Sequence, residues 1–242
     1  YDPARTAAGS SSGSGAAAAA SFAAITIGTE TNGSITGPST VAGLAGLKPT
    51  VGLVSRTGIV PISHNQDTAG PMARSVKDAA ALLTLMAGAD PADPATAEAD
   101  AHKSDYVKGL DANALKGTRI GVMRFVTGHS PKLQAVFDKA LEALKAQGAE
   151  LVDITDFKFA DLGPRSEFIL GTDFKVDVAA YLANAPAAVK ARTLADLIAF
   201  NKSEPREMAI FGQDRWEAAE ATKGLDDPEY KAALEYAQRT MG

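Results

Sequence analysis

The chain switches repeatedly between two hydrophobic periods. Residues 22–27, Phe-Ala-Ala-Ile-Thr-Ile, form a short apolar run that reads as a buried strand. Before it, Ala16 to Ala20 carry high helix propensity. After it, residues 39–45 have the composition of a short helix. Between Asp67 and Gly88, the residues Val76, Ala79, Ala80, Leu83, Met86 and Ala87 recur at helical spacing, and Gly88 closes the pattern. Residues 90–105, rich in Asp, Pro and Ala, predict a surface loop.

Residues 118–123 then predict a strand, and Ser130-Pro131 a helix start with proline at the first helical position. Leu133, Val136, Phe137, Ala140, Leu141 and Leu144 form one apolar face closed by Gly148. Residues 150–154 are the returning strand. This is a βαβ unit, expected to be parallel and right-handed. From residue 157 onward the pattern is mainly helical, clearest over 174–181, 194–200 and 227–239. No internal repeat is apparent. The alternation predicts an α/β fold with helices on both faces of a sheet.

Composition narrows the classes. The 242 residues are 45% hydrophobic and 22% charged, with a net charge of −5. That suits a globular chain with a real core and argues against a nucleic-acid surface. No apolar run reaches the ~18 residues of a membrane span. The absence of cysteine excludes a disulfide framework and thiolate metal sites. It does not fix the compartment, for which cytoplasm is the simpler expectation.

The candidate chemistry lies in two serine-bearing turns. One is Ala8-Gly9-Ser10-Ser11-Ser12-Gly13, and the other is Gly28-Thr29-Glu30-Thr31-Asn32-Gly33-Ser34. A serine needs a base to take its proton and donors for the oxyanion it generates. Thr31, Asn32, Gly33 and Ser34 offer four consecutive backbone N–H groups. Asn and Gly tolerate positive φ, and Gly33 leaves room for close approach. The plain alternative is an ordinary Gly/Asn turn.

The two turns do not stand alone. Gly46-Leu-Lys-Pro-Thr50, Gly52-Leu-Val-Ser-Arg56 and Gln66-Asp-Thr-Ala-Gly-Pro-Met-Ala-Arg74 follow in order, and Tyr1-Asp-Pro-Ala-Arg-Thr6 leads in. This arrangement resembles the amidase signature family, strongly over residues 1 to 85 and more weakly beyond. The resemblance implies a mixed central β-sheet covered by helices on both faces, incomplete here. It implies that Ser34 is the nucleophile and that Ser10, after an unusual cis peptide bond, relays protons. Ser11 would support them, and the N–H groups of Thr31, Asn32, Gly33 and Ser34 would form the oxyanion hole. The family's base is a neutral lysine upstream of the first serine loop. That position would precede Tyr1, so the chain is expected to be an internal fragment without the base, and also without the family's C-terminal part. Neither Lys48 nor Lys77 is a natural substitute, and His64 is the best alternative base. Ala8 and Ser12 stand where the family usually has glycine, and Thr36 where many members have arginine.

Gly9-Ser10-Ser11-Ser12-Gly13 also fits the Gly-x-Ser-x-Gly elbow of α/β-hydrolases, which would make Ser11 the nucleophile of an esterase. An elbow needs a preceding strand, and residues 1–8 are not strand-like. The candidate partners His64, His102 and His129 have no persuasive setting. Phe211, Gln213 and Trp216 resemble an element of a variable family region and are candidate pocket residues. The alternative is that they are core and capping groups.

The expectation is therefore one amidase domain in four stretches. Residues 1–88 hold both serines, 89–117 a loop-rich connection, 118–156 the βαβ unit and 157–242 a helical part near the substrate. The expected reaction is hydrolysis of a carboxylic or peptide amide through an acyl-enzyme on Ser34, with no metal and no cofactor. The expected partner is a small-molecule or peptide amide, with no nucleic acid and no membrane. Monomer and homodimer both fit. Alternatives are a glutaminase subunit of a tRNA-dependent amidotransferase and a non-catalytic amide-binding or relic domain.

Overall fold

The computed structural model describes residues 4–126, 130–155 and 162–241. The lead-in residues Tyr1, Asp2 and Pro3, the candidate His129, and the start of the C-terminal stretch at 156–161 lie outside the described residues. The chain divides into two compact units, Tyr1–Val107 with Asp161–Gly242, and Lys108–Ala160.

The first unit begins with helix α1 (Ser12–Ala19), strand β1 (Ile25–Glu30), helix α2 (Thr36–Ala42), strands β2 (Ala45–Gly46) and β3 (Thr68–Ala73), and helices α3 (Val76–Met86) and α4 (Ala99–His102). The three strands form an antiparallel sheet in the order β1-β3-β2, with Gly28 opposite Gly70. The strand expected over 22–27 starts three residues later. The N–H groups of Phe22 and Ala23 bond back to the Ala17 carbonyl, and Ser21 turns at φ 62, so the chain is still leaving α1 there. Phe22 is exposed, and the buried positions of β1 are Gly28 and Glu30.

Strand β3 carries no sequence signal because it contains Gly70 and Pro71, which discourage a central strand. All six of its residues are nevertheless buried. The Pro71 carbonyl accepts the Leu47 N–H at 3.1 Å. A side chain at Gly70 would run into the Leu47 carbonyl oxygen, and one at Gly28 into Met72 and Ser11. The glycines thus let strand, serine loop and connecting segment close on one another. Helix α2 starts earlier than expected. Pro38 fits its first turn, and it ends at Gly43, φ 67. Arg74 donates to the Ala18 carbonyl at 2.9 Å, tying the end of α1 to the sheet.

The helical stretch of this unit comprises α6 (Leu162–Ala183), α7 (Leu194–Ser203), α8 (Pro205–Met208), α9 (Asp214–Glu220) and α10 (Pro228–Met241). Ile169 on α6 packs with Tyr230 and Ala233 on α10. Leu194 and Ile198 on α7 pack with Ala219 on α9, beside Phe174 and Trp216.

The second unit holds strand β4 (Arg119–Val122), helix α5 (Pro131–Ala146) and strand β5 (Glu150–Asp153), with β4 and β5 parallel. Among the described residues only Leu141 of the expected apolar face is fully buried, and Leu133 and Val136 are exposed. A two-stranded sheet is too narrow to cover a helix of 16 residues.

Candidate active site

The second serine turn is built around one carboxylate. Glu30 ends β1 and is buried. Its Oε1 accepts the Gly33 N–H at 2.8 Å, and its Oε2 accepts those of Ile35 at 2.8 Å and Thr36 at 2.9 Å. The Thr36 hydroxyl also donates to it. Burial alone would raise the Glu30 pKa. The donors of Thr36, Gly33 and Ile35 outweigh it and leave the carboxyl below its ordinary value. The chain folds back so tightly because Gly33 takes φ 86, a region that costs glycine nothing. Ser34 emerges half-buried at the start of α2. One of the four N–H groups anticipated as oxyanion donors, that of Gly33, is therefore engaged by Glu30. Those of Thr31, Asn32 and Ser34 have no hydrogen-bond partner among the described residues.

The first serine loop meets this turn directly. The Gly9–Ser10 peptide bond is cis, as the resemblance implies. The Ser11 N–H donates to the Ser34 carbonyl at 3.1 Å. The Ser11 hydroxyl donates to the Thr29 carbonyl and accepts the Thr29 N–H, both at 3.0 Å. Ser11 is thus a brace between the loops, and no strand precedes it among the described residues. Both findings remove the support for the elbow reading. Ser10 itself is exposed. Ala8 holds φ 55, where glycine would be unstrained.

A second carboxylate supports the turn from the other side. Asp67 Oδ1 accepts the Thr31 hydroxyl at 2.5 Å, and Oδ2 accepts the N–H groups of Ile62 and Ser63 at 2.7 and 2.9 Å. Asp67 also lines a cavity of about 230 Å³ together with Arg56, His64, Asp93 and Asp177. Arg56 forms a bidentate pair with Asp93, at 2.9 and 2.7 Å, and donates to the His64 carbonyl at 2.6 Å. This pair holds the Asp93 carboxyl down to a pKa of about 2. His64 is tied to α6, since Asp177 accepts its backbone N–H at 2.6 Å and lies 3.0 Å from Nδ1. Burial pushes Asp177 above the usual carboxylate range despite those contacts.

The remaining candidates fall elsewhere. Lys48 donates to the Gln66 carbonyl at 2.9 Å, Lys77 is exposed on α3, and His102 is exposed on α4. Gln213 is buried beneath α7, with Nε2 near the Ile198 carbonyl. Trp216 packs on Phe174 with ring centroids 5.9 Å apart, and Phe211 is exposed. None of the three lines the cavity beside Asp67. Sequence reasoning passed over Glu30, Asp67, Asp173 and Asp177 as site residues. The first two lie inside the quoted motifs, whereas Asp173 and Asp177 gave no signal beyond being one helical turn apart.

Among the described residues, no group of three His, Asp or Glu side chains could hold a metal ion, and no helix is long and apolar enough to cross a membrane.

The model of the family described as Amidase matches residues 1–241. A putative amidase of Arthroderma benhamiae is 49% identical over 72% of this chain and 30% of its own length. A glutamyl-tRNA(Gln) amidotransferase subunit of Neisseria gonorrhoeae is 43% identical over 64% of this chain and 32% of its own. The native peptide amidase of Stenotrophomonas maltophilia superposes with a TM-score of 0.90 at 43% identity, covering 99% of this chain and 49% of that one. The chain thus spans about a third to a half of the length of these proteins.

Proposed function

We propose that this chain, which belongs to the amidase family, hydrolyses carboxamides with Ser34 as nucleophile. The Ser34 oxygen bonds to the amide carbon while its proton passes to Ser10 and on to a general base, for which the family resemblance implies a lysine. The tetrahedral oxyanion is held by backbone N–H groups of the Thr31–Ser34 turn, those of Thr31, Asn32 and Ser34 being without an internal partner. Collapse breaks the C–N bond. The proton returns through Ser10 to the leaving nitrogen, and ammonia or an amine departs. Water then attacks the acyl ester on Ser34, gives up a proton along the same route, and releases the carboxylic acid.

The observation that carries this reading is the pairing of the two serine loops. The N–H of Ser11 bonds to the Ser34 carbonyl, and this contact between the cis-linked Ser10 loop and the Ser34 turn supports the relay. The favoured substrates are peptide or small-molecule carboxamides, supported by the likeness to the Stenotrophomonas enzyme over nearly the whole chain. A glutaminase subunit is the second reading, favoured by the Neisseria relative. It predicts dependence on a partner protein.

The test is ammonia release by the protein in its natural full length. C-terminal peptide amides, simple carboxamides and free glutamine are compared, with Ser34→Ala as control. Release from peptide amides, lowered at least ~1,000-fold in Ser34→Ala, is the expected result. Unchanged release in Ser34→Ala would refute the assignment. Release from glutamine alone would favour the second reading.

A further inference from the structure

A buried carboxylate on α6 reaches the Ser34 turn through three successive hydrogen bonds, the middle one from the Ser63 backbone N–H. Asp173 is fully buried. Its Oδ2 accepts the Ser63 hydroxyl at 2.6 Å and the Asn65 amide at 3.0 Å, and its Oδ1 accepts the Tyr230 hydroxyl at 2.7 Å. The Asn65 amide also reaches the Tyr230 oxygen at 3.1 Å. One turn along α6, Asp177 holds the His64 backbone and ring. Three successive loop residues, Ser63, His64 and Asn65, are therefore gripped by one helix, and α10 closes the grip through Tyr230.

The same loop carries the donors for Asp67. The N–H groups of Ile62 and Ser63 fix one Asp67 oxygen, and the other oxygen receives the Thr31 hydroxyl. Thr31 opens the turn that ends in Ser34. The position of Thr31 is thus set by where the Ser63 loop lies, and Asp173 sets the loop. A buried carboxylate without a cation at bonding distance is costly unless its donors are well placed. The nearest cationic candidate is the His64 ring, with Nδ1 4.0 Å from Asp173 Oδ1. Simple packing of α6 against the loop would be served at lower cost by an apolar residue. Burial and the Asp173 acceptor raise the pKa of the Tyr230 hydroxyl, which keeps it a donor at neutral pH.

We infer that Asp173 is a positioning residue for amide hydrolysis, aligning the Thr31–Ser34 turn through Ser63, Asp67 and Thr31. This inference rests on the role of Ser34 proposed above.

The test compares wild type, Asp173→Asn, Tyr230→Phe and a stability control, Val178→Ala, in the natural full-length protein. Asp173→Asn is expected to lower kcat about 10- to 100-fold with KM within about threefold, as a misaligned turn would. Tyr230→Phe, which removes one of the three donors and is the milder change, moves kcat the same way by less. Val178→Ala lowers Tm and leaves kcat unchanged. In a double-mutant cycle, Asp173→Asn and Thr31→Val are non-additive in kcat, because they interrupt the same route. An additive cycle, or kcat unchanged in Asp173→Asn and Tyr230→Phe, would overturn the inference. The Gly33 amide resonance reads the same coupling without turnover. It shifts in Asp173→Asn and Tyr230→Phe and stays in place in Val178→Ala. A wild type with no amidase activity would refute the proposed function, and the Gly33 shift would still decide this inference: a resonance unmoved in both network variants overturns it.

Discussion

The carboxylate of Glu30 accepts the N–H of Gly33 at 2.8 Å, across the turn that Glu30 itself precedes. Its second oxygen takes Ile35 and Thr36, so one buried side chain satisfies the backbone donors on both sides of Ser34. Conformation and chemistry are linked here. The turn holds its shape because a negative charge sits inside it, and the same charge engages the Gly33 N–H, one of the four proposed oxyanion donors.

Glu30→Gln tests that link. Gln keeps one acceptor oxygen and places an NH2 group against backbone N–H donors. Stability is expected to fall by about 1–3 kcal/mol, and kcat by roughly 10- to 100-fold if the misplaced turn weakens oxyanion binding. Chemical denaturation and steady-state kinetics on one preparation check both. Full activity in a folded variant would show that the turn does not depend on the carboxylate.

Ala8→Gly is expected to be silent or stabilising. Ala8 sits at φ 55, where a Cβ costs ~1–2 kcal/mol. Removing it relieves that cost, while the freer unfolded chain takes back part of the gain. The net expectation is a rise of no more than ~1 kcal/mol, read as a small increase in the denaturation midpoint. A clear loss of stability would mean that the Ala8 methyl makes packing contacts worth more than its strain.

The Arg56–Asp93 pair predicts an acid-sensitive contribution. Asp93 titrates near 2 in the folded protein against an ordinary value of 3.8. Its folded pKa is depressed, so the contribution is complete above 3.8 and is lost as the pH falls toward 2. Both side chains are largely buried, 18% and 6% exposed, so the contribution is on the order of 2 kcal/mol. Asp93→Asn should be destabilised by about that much at pH 7. Its gap to wild type should narrow as the pH drops through this window. A gap independent of pH would point to lost hydrogen bonds and not to the charge.

Much of this was legible in the sequence because it is local. The serine loops, the alanine-rich helix and the helix at Val76 follow from motif, propensity and period, and Ser130-Pro131 marks the start of α5. Strand β3 was not legible, because its burial depends on Gly70 and Pro71 fitting against Leu47, which no periodicity encodes. The start of β1 was misplaced because the Ala17 carbonyl holds Phe22 and Ala23. The grip of Asp173 on Ser63 joins residues 110 positions apart. It forms where α6 seats against the loop carrying Ser63, His64 and Asn65, so nothing near either residue in the sequence announces it.

The central claim is that Ser34 is the nucleophile and Ser10 its relay. The most direct measurement is labelling of the natural full-length protein with a fluorophosphonate, followed by peptide mass mapping. The account predicts a single adduct on Ser34, formed far more slowly in Ser10→Ala. An adduct on Ser11, or no adduct on a folded protein, would contradict it.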